Sequence, residues 1–351
     1  MKARLGVVGV GWWATFNHIP TIQSDENAEI VALCDLDDER LRIVGEKFGI
    51  LALYTDIGEM LAAENLDGVM VSTPHIAHTA PAIAALEAGC HVLVEKPMAT
   101  SAADGHAIAD AAKRAGREVL VPTGMNFTTF TQKAADMVSA GRIGKVRHAV
   151  CQMGSALDDL FSGEPMLETS EHLFRPPAST WADPEKAGGY AWGQMSHSLA
   201  WLLYVSGLRF QSIYCMANLS KTGVDFYDAA IARATNGATV SLSGSASVPK
   251  HMGMHMDIRI YGTQGMVFFD SERARLELRR LDGNDEIVPL KQGETDYDGE
   301  LPVRIFAALC AGKPVVNASD AENGAAVTEA IDALYRSVRT GQLALIEGCA
   351  Q

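Results

Sequence analysis

The sequence predicts an α/β chain: an N-terminal doubly wound parallel sheet, then a second α/β domain with an open, mostly antiparallel sheet. Three observations predict it. Short apolar runs alternate with helix-like stretches over the first 120 or so residues, the pattern changes after Val121-Pro122, and Asn236-Gly237 then separates two strand-like runs as a tight hairpin would. The 351 residues suit two domains at about 150 residues each. The division falls at 1–122 and 123–351.

Strands are expected at 4–10, 29–34, 68–73, 91–95 and 118–121, each apolar at successive positions, as in a parallel sheet buried on both faces. Helices are expected between them, at 12–23, 38–48, 56–63, 78–88 and 103–115, the fourth stopping at Gly89 as a C-terminal cap. Such alternation implies right-handed crossovers. Beyond residue 122 the expectation is a helix at 128–140, a strand at 145–153, and an irregular segment at 155–187. A helix at 194–206 follows, then strands at 210–218, 224–235, 238–247, 254–261 and 265–270 and helices at 301–311 and 319–339.

Composition excludes several classes. No apolar run reaches the roughly 18 residues of a membrane span. Met1-Lys2-Ala3-Arg4-Leu5 leads straight into a strand and does not read as a signal peptide. Cys34, Cys90, Cys151, Cys215, Cys310 and Cys349 are scattered without a C-x-x-C pair, so neither a disulfide framework nor a zinc site is expected, and a reducing cytoplasm is. A net charge of −14 without Lys/Arg clusters speaks against nucleic acid and polyanionic substrates, and favours neutral small molecules. His251 and His255 are four apart, but Pro249 and strand-like flanks favour a sheet over a metal site, and no third ligand is apparent.

Gly9, Gly11 and Ala14 form G-x-G-x-x-A between the first strand and the first helix. Gly9 allows the tight turn, Gly11 lets backbone approach a pyrophosphate, and Ala14 permits close helix–strand packing. The second strand ends in Cys34-Asp35, about two dozen residues on, near the offset of ~20 for an acid that grips a ribose 2′-hydroxyl. A carboxylate there would repel a 2′-phosphate, so NAD is favoured over NADP in a Rossmann-type site. The competing reading makes Asp35 an N-cap for the helix near Asp38.

The third strand runs into Val71-Ser72-Thr73-Pro74-His75, with His78 beyond, and then comes Ala85-Leu86-Glu87-Ala88-Gly89-Cys90-His91-Val92-Leu93-Val94-Glu95-Lys96-Pro97. These motifs, with Gly188-Gly189, His197, Ile260-Tyr261-Gly262-Thr263-Gln264-Gly265, Phe306, Gly312-Lys313-Pro314 and Tyr335-Arg336-Ser337, closely resemble the glucose–fructose oxidoreductase/inositol dehydrogenase (Gfo/Idh/MocA) family over nearly the whole chain. The resemblance implies hydride transfer between NAD(H) and a hydroxyl or keto carbon of a sugar, cyclitol or related polyol. It also implies a homodimer or homotetramer formed through the C-terminal sheet. It puts Lys96 beside the nicotinamide and the reacting hydroxyl, and Ser72, Thr73, His75, His78 and Glu95 along the cofactor. Trp12, Trp13 and Asn126 match positions near cofactor or substrate, although both tryptophans could equally be core or interface.

Oxidation of a carbinol also requires a base. His197 is the candidate, since its ordinary pKa is nearest neutrality, and Lys96 would stabilise developing alkoxide charge or join in proton transfer. Most relatives carry an aspartate four residues before this histidine; here Gly193 stands there, beside Gln194. A helix over 194–206 would put Gln194, His197 and Trp201 on one face, with Gln194 binding substrate in place of the carboxylate. His172, Arg175, Trp181 and Asp183 make 155–187 the segment expected to select substrate, though any one of them could merely pack the domain seam. Competing functions are a glycoside-modifying use of the same cofactor, imine or dihydrodiol reduction, a non-catalytic NAD(H)-binding regulator, and an oligomer platform.

Overall fold

The structure, a computed structural model, describes residues 2–346; Met1 and Cys349 lie outside the described residues. Six parallel strands form the first sheet: β1 (Ala3–Val8), β2 (Ala28–Cys34), β3 (Ala52–Tyr54), β4 (Gly68–Val71), β5 (His91–Val94) and β6 (Val119–Leu120), in the order β3-β2-β1-β4-β5-β6. That order reverses direction between β1 and β4, and ligands of open α/β sheets bind at such a switch point, beyond the carboxyl ends of the strands. The crossover helices carry local start and stop signals. Asp37 caps Asp38–Phe48 by accepting from the Arg40 N–H, and Ser101 caps Ala102–Ala115 through the Asp104 N–H. Gly89, at φ 84°, follows the helix Thr79–Glu87 as expected.

The expected strand at 4–10 stops at Val8, because Gly9 adopts a φ of 84° and turns the chain. β3 was not expected; three residues are too few to show a period. The helical stretch at 12–23 has a π-helical middle, Ala14–His18.

The second sheet has nine strands in the order β14-β13-β12-β11-β7-β10-β9-β8-β15. They are β7 (Val146–Gly154), β8 (Phe210–Leu219), β9 (Asp225–Ala234), β10 (Thr239–Ser245), β11 (His255–Gly262), β12 (Gly265–Asp270), β13 (Arg275–Arg280), β14 (Glu286–Val288) and β15 (Ala344–Leu345). Asn236-Gly237 does join β9 to β10 as an antiparallel hairpin, but β7 and β10 run parallel, so the sheet is mixed. β13 escaped the sequence reading because it is so charged. Leu276 and Leu278 face inward while Glu277 accepts from both Arg275 and Arg279 on the other face. The expected irregular segment 155–187 contains short helices, among them Asp158–Phe161 and Ala178–Trp181.

The two parts are closely joined. The helix Glu300–Cys310 buries Val303, Phe306 and Ala307 against Leu5, Val7 and Ile22 beside the first sheet. The helix Ala321–Thr340 packs against both Ala102–Ala115 and β8. The helix Ser196–Ser206 lies in the second core, where Trp201 stacks on Phe269 at 4.9 Å. Among the described residues no helix is long and apolar enough to cross a membrane, and no group of three His, Cys, Asp or Glu is arranged to hold a metal.

Candidate active site

The carboxyl edge of the first sheet is built around Gly9. Its N–H donates to the Cys34 carbonyl at 2.8 Å, and a Cβ there would sit 2.7 Å from the Ser72 carbonyl carbon and the Thr73 nitrogen. β1 and β4 therefore approach each other at the switch point only because residue 9 is glycine. Open space surrounds Gly11 where a Cβ would project, next to the start of the 12–23 helical stretch. Asp35 ends β2 with one oxygen accepting the Val10 N–H at 2.9 Å and the other the Asp37 N–H at 3.1 Å. The helix that follows is capped by Asp37, not Asp35. This edge fits a dinucleotide: an open glycine at a helix start, a carboxylate fixed at the neighbouring strand end, and a buried Ser72 hydroxyl without a partner. Arg40, 3.3 Å from Asp35, is the cation beside it.

Lys96 follows β5 and joins Pro97 through a cis bond. His78 is fully buried between the carbonyls of Pro97 and Thr73, 2.8 Å from each, and so ties this turn to β4. The Lys96 ammonium reaches out of the sheet to donate to the Gly193 carbonyl at 2.7 Å. Burial pulls the Lys96 pKa down to about 8, against the opposing charge of Glu95. Burial raises the Glu95 carboxyl, but His18, Lys96 and His78 outweigh it and hold it below the ordinary range. His18 Nε2 lies 3.0 Å from a Glu95 oxygen but off the line of a hydrogen bond.

His197 stands on the first turn of Ser196–Ser206, buried, with Nδ1 lacking a partner and its ring edge-on to Tyr297 at 5.3 Å. Burial, then the Lys96 charge, lowers its pKa well below the ordinary value, so the imidazole is neutral at physiological pH. Behind Lys96, Thr123 and Ser196 help line a small cavity with room for about one water, and both their hydroxyls are buried without partners.

The other expected site residues divide. Trp13 packs near His18 and Tyr297, and Trp181 lies over Lys96. His75 is edge-on to Trp181 at 4.9 Å and bonds the Ala187 carbonyl; burial lowers its pKa to about 3. Thr73 uses its hydroxyl locally, on Ala77 O. His172 accepts from the Trp12 indole N–H at 2.8 Å and stacks on Phe16 at 4.0 Å, so the 155–187 segment reaches the nucleotide turn. Asn126 is braced elsewhere: fully buried, it donates to the carbonyls of Ala200 and Ala318. Asp183 caps a short turn, and Arg175 is exposed.

Of the face expected for Gln194, His197 and Trp201, the last two lie four apart on Ser196–Ser206, and only the phase of Gln194 differs from the expectation. Helix begins earlier than 194 and is π-helical over Ala191–Met195, which breaks the α spacing before His197. The three side chains have separate partners: Ser155 for Gln194, Tyr297 for His197, and Thr131 with Phe269 for Trp201. Two residues at this site were not anticipated. His18 lies on the first helix beyond the glycine motif, and its signal was a lone histidine there. Tyr297 comes from an acidic loop without periodicity and offered no signal beyond being its one aromatic.

A parallel sheet with a glycine turn and a fixed carboxylate at its switch point defines a dinucleotide-binding class of fold. Residues 3–123 match the family described as "Oxidoreductase family, NAD-binding Rossmann fold" (GFO_IDH_MocA), and 131–268 match the GFO/IDH/MocA C-terminal domain. The chain belongs to the GFO/IDH/MocA oxidoreductase family. It is 36% identical over 167 residues to D-apiose dehydrogenase of Paraburkholderia graminis, a match covering 48% of this chain and 44% of that enzyme. It thus spans under half the length of that relative. It is 25% identical to D-glucoside 3-dehydrogenase of Escherichia coli K12, covering 96% of each. The WlbA dehydrogenase of Bordetella pertussis, solved with NADH and UDP-GlcNAcA, superposes with a TM-score of 0.76 at 23% identity, over 98% of this chain and 97% of that one.

Proposed function

We propose that the chain is a dehydrogenase that moves a hydride between NAD(H) and a hydroxyl-bearing carbon of a small, neutral sugar, cyclitol or related polyol. The observation that carries this reading is a buried neutral imidazole with a free nitrogen, His197, beside a part-buried ammonium, Lys96, at the carboxyl edge of the nucleotide sheet. Gly9, Gly11, Trp12, Trp13, Asp35, Ser72, Thr73 and Glu95 would hold the cofactor, with His75 and His78 as supports behind them. When bound, the nicotinamide supplies the hydride acceptor, or the donor in reverse.

In the oxidative direction His197 takes the hydroxyl proton, and a neutral ring is the form able to do so. Lys96 donates to the same oxygen and stabilises charge as it develops. The products are the keto compound, the reduced cofactor and one proton. Trp181 offers a flat apolar face to a sugar ring and Gln194 an amide to a hydroxyl.

NAD is preferred because Asp35 holds a fixed carboxylate where a 2′-phosphate would lie, although Arg40 partly offsets it. The protein works in a reducing cytoplasm. Exposed Met216 and Ile231 on the open sheet face support a homodimer or homotetramer, readable by light scattering. The test of function is formation of reduced nicotinamide with monosaccharides, inositols and anhydrosugars, first with NAD and then NADP. Turnover with NAD on a polyol is expected; binding of NAD without turnover on any of them overturns the reading.

A further inference from the structure

Three glycines on one segment meet one residue, Trp181: two at its backbone carbonyl and one at its indole. A Cβ on Gly188 would lie 2.6 Å from the Trp181 carbonyl oxygen, which the Gly189 N–H reaches at 3.0 Å. A Cβ on Gly193 would lie 2.8 Å from Trp181 Cζ3 and 3.0 Å from Phe161 Cζ. The indole therefore fills the space that any side chain at 193 would need. The Lys96 ammonium sits over the same indole, 5.1 Å from the ring centroid, while it donates to the Gly193 carbonyl.

We propose that Trp181 is a positioning residue for Lys96: seated in the gap left by Gly193, its indole helps wall the ammonium from water and holds it on a backbone carbonyl and not on the neighbouring carboxylate. The groups facing Lys96 support this. Glu95 is the carboxylate beside it, and that acid already faces His18 and accepts the Lys96 backbone N–H. His75 and His78 approach from the β4 connection and His197 from its helix, all three with pKa values lowered by burial. Tyr297, on the preceding loop of Glu300–Cys310, has its hydroxyl pushed up by burial. None of these offers Lys96 a second negative charge.

Water exclusion and the π-face act oppositely on Lys96, since a dry site favours the neutral amine and the ring favours the ammonium. Burial brings the Lys96 pKa down to about 8 even beside the Glu95 carboxylate, and on this proposal water exclusion outweighs the pull of the ring. Opening the wall should therefore raise the proton affinity. The consequence is that the 155–187 segment sets how readily Lys96 exchanges a proton near neutral pH. That consequence rests on the hydride-transfer reading; the contact itself does not.

The test reads Lys96 directly, without turnover. Competitive acetylation of the full chain with acetic anhydride across a pH series, followed by peptide mass spectrometry, gives the titration midpoint of Lys96. Wild type should titrate near 8. Trp181→Ala should raise the midpoint by at least about one unit, a tenfold change in proton affinity, and Trp181→Phe should stay near wild type. Gly193→Ala should move it the same way by displacing the indole, and should add nothing in the Trp181→Ala background. Circular dichroism identifies any variant that does not fold, and the Trp181→Phe and Gly193→Ala pair carries the test if Trp181→Ala does not. An unchanged or lowered midpoint in a folded Trp181→Ala or Gly193→Ala chain overturns the proposal. Absence of turnover on polyols, with these shifts present, would overturn only the proposed reaction.

Discussion

Replacing Asp228 with asparagine should stabilise the fold at neutral pH and change little in acid. Asp228 is 3% exposed on β9, and Asp225 is its polar neighbour. Burial, and then the Asp225 charge, push the Asp228 carboxyl well above its ordinary range, which favours the protonated form beside Asp225. Asp225 also lies above the usual range through burial, but it accepts the Tyr335 hydroxyl and, at 2.7 Å, the Ala191 N–H, which fit it to carry the charge. The sign follows from the raised folded-state value. The contribution is complete below the unfolded pKa of about 4 and is lost as pH climbs toward the folded value, because only the unfolded chain ionises there. An amide of the same shape cannot ionise. Removing the titration is worth about 1.4 kcal/mol at neutral pH for each pKa unit by which the folded value stands above the unfolded one. For a chain of 351 residues each 1.4 kcal/mol is roughly 2 °C in Tm. Calorimetry of both proteins at about pH 4.5 and pH 8 should show the gap widening with pH. A constant loss at both values would refute the reasoning, because it would make Asp228 a required hydrogen-bonding group and not a buried acid. Since Asp225 holds the start of the π-helical turn that presents Gly193 to Lys96, Asp225→Ala should also lower activity.

Four further outcomes follow from the site. Lys96→Ala should lower kcat by about 10²–10³-fold, the usual effect of losing one oxyanion donor, with dinucleotide affinity by calorimetry changed far less. The rate of alcohol oxidation should fall as pH rises through about 8, where Lys96 loses its proton; Lys96→Arg should show no such limb, because guanidinium stays charged. Asp35→Ser should reduce the NAD over NADP preference in kcat/KM by about tenfold or more, one charge contact at the ribose being worth about 1.4 kcal/mol or more. Gly9→Ala should weaken dinucleotide binding and lower Tm together. It would place a Cβ 2.7 Å from the Ser72–Thr73 backbone at a φ of 84°, and the conformation alone costs about 1–3 kcal/mol.

The first sheet was legible because its longer strands are buried over most of their length and carry apolar runs, broken only by Arg4 in β1 and Glu29 in β2. Its edge strand β3 is three residues long and half-buried, and so left no pattern. Charge concealed β13, whose outward face is an Arg–Glu–Arg row, although the alternation of Leu276 and Leu278 was there to be read. The turn at Gly9 was readable because it is a short backbone requirement written in consecutive residues. What could not be read was convergence from far apart. Tyr297 meets His197 across a hundred residues, and the π-helical turns at Ala14–His18 and Ala191–Met195 change side-chain phase without any sequence signature. The reason for glycine at 193 lies in Trp181, twelve positions earlier, and only packing reveals it.

The central claim is hydride transfer at the His197–Lys96 site, and isotope transfer tests it most directly. The protein would be incubated with NAD and perdeuterated sugars or inositol, and the reduced cofactor examined by NMR and mass spectrometry. The account predicts one deuteron at C4 of the nicotinamide ring, with transfer greatly slowed in Lys96→Ala and His197→Ala. Cofactor that binds but returns without deuterium, or label that arrives equally fast in both variants, would contradict it.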